Sequence, residues 1–352
     1  MRSGQQDWFT LMADLAISQN DLVAPAVRRF SPIITIVVLL ALVPLISKAT
    51  GDIFIIRAFT RVIIFAMVAV ALNIILGLGG LISMMHAGLF GIGAYTVAIL
   101  AYHDVSQESF LGFLPGTSEL LISLPCAALA TASFAALFGS VAVRTSGTYF
   151  IMITLAFNQM LYYFFVSFQH YGGDDGLQIL STTTIAGFSS TDRIPFYYIS
   201  LGALAACLIF TAKLRESKFG LVLRAMAQNE RRVVALGLAS NRYKLAAFVI
   251  SSALAGLAGG LWANSQQFVS PADMSWIRSG DFIVMIVLGG TRHTWGPVVG
   301  AIAYLMLELV LSSWTTYWQI PLGLFIVGVV VFLHDGLVGA ILNFLPSRQA
   351  KS

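Results

Sequence analysis

Long apolar runs separated by short polar segments fill almost the whole chain. A membrane-spanning helix needs about 20 mostly apolar residues. Six runs of that kind come first, at Ser31–Ser47, Phe54–Leu76, Leu81–Tyr102, Ser118–Val143, Thr148–Phe168 and Phe196–Ala212. Leu245–Ala263, a short run at Phe282–Leu288, Pro297–Ser312 and Ile320–Phe332 follow. The runs are continuous rather than alternating, which predicts helices and excludes a transmembrane barrel. The expected fold is all-α, a polytopic transmembrane bundle of about 8–10 spans that includes short or broken helices.

Composition agrees with the pattern. The chain is 58% hydrophobic and 10% charged, against about 25% charged residues in a soluble domain. Its length would suit several soluble domains, but the recurrence of apolar runs makes residues 31–345 a single membrane domain. Residues 1–30 carry Asp7, Asp14 and Asp21 and lack a compact apolar core with a small-residue cleavage site. They read as a cytoplasmic segment, with an interfacial helix as one form it can take, and not as a removed signal peptide. Residues 346–352 form a cytoplasmic tail. Cys126 and Cys207 lie inside apolar runs and have neither disulfide nor metal-site spacing.

Charge sets the orientation. The polar break 213–244 holds eight Lys or Arg and two Asp or Glu, a net +6 that exceeds the +4 of the whole chain. Short basic loops stay in the cytoplasm, so this segment is placed inside, and counting back six spans places the N-terminus inside as well. The segments His103–Gly116 and Gln169–Pro195, assigned outside, are acidic or neutral. Arg57 and Arg61 fit less well near the outer end of the second span, where pairing with Asp52, snorkelling or a later helix start would accommodate them. A net charge of +4 gives no reason to expect nucleic acid as a partner.

Polar groups within spans are costly and therefore candidates for a pathway. They are Asn73, His86, Asn158, Gln159 and Glu308. Each could equally do no more than bond a neighbouring helix, and His86 without a second ligand is a poor metal candidate. Ser252, Gly256 and Gly260 share one helix face, a pattern that lets membrane helices approach closely. A weak internal echo relates Leu78-Gly79-Gly80 with Gly91 to Leu288-Gly289-Gly290 with Gly300, as in transporters built from repeats. No Gly-x4-Gly-Lys-Ser/Thr phosphate loop is present, nor a serine–histidine–aspartate set or zinc-protease helix, so catalysis within the chain is not expected.

Within the basic break, Lys218–Glu230 reads as a helix continued by Arg231–Leu238, with Gly237 as its C-terminal cap. The wording of the break carries a resemblance. Ser217-Lys218-Phe219-Gly220, Leu223-Arg224-Ala225-Met226, Asn229-Glu230, Ala235-Leu236-Gly237 and Arg242-Tyr243-Lys244 are followed by Ser251–Gly260, Val269-Ser270-Pro271, Ser279-Gly280 and Gly296-Pro297. Upstream stand Asn73–Gly77, Gly79–Ser83, His86-Ala87-Gly88, Gly91–Tyr95, Arg144–Phe150 and Gly172-Gly173. In order and spacing this resembles the permeases of branched-chain amino-acid ABC importers over roughly residues 60–340, most of all the M-type (LivM-like) subunit. Departures are Ala227-Gln228, where relatives often carry charge, Arg231-Arg232, where small residues are common, and the basic turn at Arg292-His293.

The resemblance implies an importer with a second, H-type permease subunit, two ABC ATPase subunits and an external substrate-binding protein, in the inner membrane of a bacterium or archaeon with both termini cytoplasmic. ATP and Mg would be held by the ATPases, and no cofactor is expected in this chain. Segment 213–244 would be the coupling loop, with Phe219, Gly220, Arg224, Ala225, Glu230, Arg231, Arg232 and Gly237 at the ATPase. Substrates implied are branched-chain amino acids, with urea, short amides or aromatic acids as alternatives. An ion-coupled transporter is the other reading, but it would need intramembrane acids, and only Glu308 lies well within a predicted span.

Overall fold

The computed structural model describes residues 32–107, 116–180, 184–185, 188–189, 193–333 and 336–344. The expectations for residues 1–30 and 346–352 lie outside the described residues. Helix α1 runs Pro32–Thr50, α2 Ile53–Asn73, α3 His86–Ser106, α4 Leu120–Ala142, α5 Thr148–Ser167 and α6 Arg193–Glu216. Then come α7 Lys218–Ala235, α8 Ser240–Gln266, α9 Trp276–Gly289, α10 Gly296–Trp314, α11 Gln319–Phe332 and α12 Gly336–Phe344. Among the described residues, eight helices are long and apolar enough to cross a membrane. The helix α9 and the apolar helix α11 are shorter, at 14 residues each.

Boundaries move where hydropathy is a poor guide. Both α6 and α8 extend beyond their apolar runs into the basic break, because a helix satisfies its backbone as well in polar surroundings as in hydrocarbon. In contrast, α3 starts at His86 rather than Leu81. The end of α2 widens into a π-turn at Ile74–Leu78, and residues 80–85 are irregular before α3 begins. Gly80 has φ +66°, a conformation that a side chain at this position would strain.

Helix α8 is the axis of the bundle, packed on α2, α3 and α4. Its small face explains how. A Cβ on Gly256 would collide with Thr131 of α4, one on Gly260 would press on Leu124 and Val97, and one on Gly259 would strike the Phe90 carbonyl of α3. Without a hydrophobic driving force between helices in lipid, such close backbone approach supplies the dispersion that holds them together. Helix α2 is buried on every side from Val62 to Asn73, as a helix apolar all round must be. By contrast, α4 and α5 turn large apolar side chains outward, including Leu121, Leu129, Tyr149 and Tyr163, which suits a surface meeting hydrocarbon.

Short strands tie the connecting segments at one end. Strand β1 (Leu177–Gln178) pairs antiparallel with β4 (Phe268–Val269), while β2 (Thr184–Ile185) pairs with β3 (Phe188–Ser189). That end also gathers Arg57, Arg193 and the end of α8 around a shared cavity. The other end gathers α7, Gly77–Gly80 and Thr291.

The internal echo is local. Gly80 and Gly290 both have positive φ at matching places after a helix. Helices α9 and α10 then fold into a tight hairpin in which Gly289, Gly296 and Gly300 leave no room for a Cβ against facing backbone. After Gly80, by contrast, α3 leaves α2 and packs chiefly on α8.

Candidate pathway and coupling site

The start of α3 lies inside the protein, so its first backbone N–H groups need partners that water cannot supply. Side chains from two other helices supply them. Met84 N–H donates to Thr154 Oγ1 at 3.2 Å and Gly88 N–H to Asn158 Oδ1 at 2.7 Å, both on α5. Ala87 N–H donates to Ser279 Oγ of α9 at 3.0 Å. Asn158 completes its own set by donating from Nδ2 to the Met274 carbonyl at 2.8 Å.

His86 is held just as fully. Ser251 Oγ donates its one proton to the Ala71 carbonyl at 2.6 Å. The 2.8 Å contact with His86 Nε2 must therefore use a ring N–H, and Nδ1 accepts from Ser83 at 3.1 Å. With both nitrogens engaged, the ring joins α3 to α8 and, through Ser251, to α2. His86 and Asn158 thus brace a helix start.

Asn73 and Gln159 differ from that pair. Asn73 Oδ1 and Gln159 Oε1 are buried with no hydrogen-bond partner among the described residues. The Asn73 side chain lies over Gly77, which also faces the Thr291 carbonyl.

Helix α7 has two faces. Gly220, Leu223, Met226 and Val233 are buried, while Leu221, Val234 and Leu236 are exposed beside Arg224, Ala225, Arg231 and Arg232. Ser217 caps its start by accepting from Gly220 N–H at 3.2 Å, and Phe219 stacks on Tyr243 with ring centroids 5.7 Å apart. The helix breaks at Asn229, whose backbone is extended and whose side chain accepts from Arg232 N–H at 3.1 Å, starting a second short helix. Gly237, at φ +83°, ends it. Glu230 anchors the break to α8, accepting from Lys244 Nζ at 2.6 Å and from Ser240. Burial pushes the Glu230 carboxyl up, but those hydrogen bonds and the Lys244 charge outweigh it and hold the group below the usual carboxylate range. Gly80 packs directly on Ala227 of α7. The basic helix therefore touches the turn that leads into the buried start of α3.

A third region was not legible as a cluster. Arg61 of α2 donates to both oxygens of Glu308 of α10, at 2.8 and 3.0 Å. Asp52 instead caps its own helix through Phe54 N–H at 2.8 Å. The guanidinium groups of Arg61 and Arg278 lie 5.3 and 5.5 Å from the Phe65 ring centroid, a cation–π arrangement. Arg278, Asp281, Tyr304 and Glu308 line a cavity of about 470 Å³ under α11. Arg61 and Glu308 each stood out in sequence as a misplaced charge, but the other three lining groups did not. Asp273 lies in the 3-10 turn Pro271–Met274 just before α9, and Arg278 and Asp281 lie in the first half of α9, a helix too short for its charges to read as intramembrane.

Comparison with known proteins gives the arrangement its context. A family model described as "Branched-chain amino acid transport system / permease component" matches residues 54–334. The chain is 28% identical over 318 residues to the high-affinity branched-chain amino acid transport system permease protein LivM of Escherichia coli, covering 84% of this chain and 71% of that one. It is 23% identical over 263 residues to the probable branched-chain amino acid transport permease protein LivM of Methanocaldococcus jannaschii, covering 72% and 75%. A LivH protein of the same transport class from Salmonella typhimurium is 22% identical over 290 residues, covering 78% of this chain and 91% of its own. No solved structure matches the chain. A match that begins at the start of α2, ends beyond α11 and encloses the α3 start, α7 and the Arg61–Glu308 pair places the chain in the family of branched-chain amino acid transport system permease components.

Proposed function

We propose that this chain is the M-type permease subunit of an ATP-driven importer and forms part of the path for branched-chain amino acids. Its partners are a second, H-type permease, two ATPases on the cytoplasmic side and an external binding protein that delivers the substrate. The observation that carries the reading is α7. It is amphipathic, anchored by Glu230 to α8 and in contact with Gly80, yet it leaves Leu221, Val234, Leu236 and three arginines exposed at one end of the bundle. In an importer that surface meets the ATPase, and the contact with Gly80 passes its displacement to the start of α3. Coupling of this kind requires the partner to bind the two transport states with different affinity.

The test is reconstitution with the partner subunits and leucine uptake into vesicles, with and without ATP. ATP-dependent uptake that needs the binding protein supports the reading. Uptake driven by an ion gradient without ATPases would replace it with an ion-coupled transporter, and uptake of urea or an amide in place of leucine would revise the substrate. Arg224→Glu with Arg231→Glu should cut ATPase co-purification at least tenfold while membrane insertion stays intact. Undiminished co-purification would remove α7 as the docking surface.

A further inference from the structure

The charges joining α2, α9 and α10 do not balance. Arg61 closes on both oxygens of Glu308. Arg278 is instead divided between Asp273 at 3.6 Å and Asp281 at 3.8 Å, too far for a direct hydrogen bond to either. Asp281 takes a hydrogen bond from the Tyr304 hydroxyl at 2.7 Å and Asp273 one from the Trp262 indole at 3.0 Å. Three carboxylates face two guanidiniums, leaving one negative charge uncompensated within the network. Such charge inside a membrane protein points to a ligand path.

The open side of the network is the cavity of about 470 Å³, within the roughly 300–1,000 Å³ of small-molecule sites. Its wall combines Arg278, Asp281 and Glu308 with the apolar Ile277, Leu322 and Ile326. We propose that this cavity binds a zwitterion with an apolar tail, its primary ammonium against Asp281 and Glu308 and its anionic oxygens against Arg278. The surplus carboxylate makes the ammonium the anchor. Arg278, whose ion-pair contacts are long, turns guanidinium donors to the anion, and Leu322 and Ile326 receive the tail. Two sources share this chemistry: a free α-amino acid with an apolar side chain, and the ammonium–phosphate headgroup of a membrane lipid. The amino acid is the assignment made here, and it rests on the import reading above.

The experiment measures equilibrium binding of radiolabelled leucine to the assembled transporter, without binding protein, in nanodiscs of phosphatidylglycerol. Asp281→Asn removes the anchor. Gly323→Leu fills the cavity without altering charge, because Gly323 lines it and a Cβ there meets nothing within 4 Å. Saturable binding by the unaltered protein, weakened at least tenfold in each variant that still assembles, supports the site. If Asp281→Asn fails to assemble, Gly323→Leu decides alone. Unchanged binding in the variants, with ATP-driven leucine uptake intact, overturns the site and leaves the import reading standing. Absence of leucine binding, with phosphatidylethanolamine retained on purification by the unaltered protein and lost from Gly323→Leu, assigns the cavity to the lipid headgroup and overturns the amino-acid assignment. Failure of the unaltered transporter to take up leucine at all overturns the import reading, and with it the amino acid as ligand.

Discussion

A buried asparagine can satisfy two backbone groups at once, and Asn158 does so by accepting from Gly88 N–H and donating to the Met274 carbonyl. Asn158→Leu keeps the size and removes both bonds, at about 1–3 kcal/mol for each group left unpaired. The expected outcome is a thermal midpoint several degrees lower for the purified protein in detergent. An unchanged midpoint would mean that the start of α3 is held by other contacts. Polarity within an apolar run was enough to single out Asn158 and His86 in the sequence. Their roles were not legible, because Ser251 lies 165 residues from His86 and Met274 lies 116 from Asn158. Arg61 and Glu308, 247 residues apart, show the same limit: each was visible as a misplaced charge, and only the fold makes them a pair.

Among the elements, α7 was the most readable, with its basic composition, its start near Lys218 and its end at Gly237 all present as local signals. Its break at Asn229 was not, because the run around it has ordinary helix-forming residues. The break places Glu230 against Lys244, a cation that is only 5% exposed. Because the Glu230 carboxyl is held below its ordinary value, the anchor is fully present above the unfolded-state pKa and is lost as pH falls through the lower folded value. Amide exchange in residues 230–240 should therefore be slow at neutral pH and accelerate in acid, beyond the change in intrinsic exchange rate. Glu230→Gln should show the acceleration already at pH 7, worth about 1 kcal/mol because Glu230 is a third exposed and solvent screens the pair. Equal protection in the variant would detach the second half of α7 from this contact. The turn at Gly80 offers a companion test. Gly80→Val strains a positive φ and presses on Ala227, and it should lower ATP-driven uptake more than ATPase co-purification. A parallel loss of both would make the turn merely structural.

For the molecule as a whole, hydropathy made the class and most spans legible, while the arrangement around α8 depends on which small faces meet. Gly256→Leu should sharply reduce the monodisperse protein recovered in detergent, since the added side chain drives into Thr131. Gly202→Leu, on α6 with nothing within 4 Å of its Cβ position, should be tolerated, and equal losses would argue against steric packing as the cause. The buried start of α3 also imposes an order on synthesis. Its N–H groups are satisfied by Asn158 and Ser279, which leave the ribosome 70 and 192 residues later. At 5–20 residues per second, the second wait lasts roughly 10–40 s. Through that interval the nascent chain holds a helix whose first turn is unfinished, so a chain arrested before α9 emerges would expose this turn to whatever insertion machinery surrounds it.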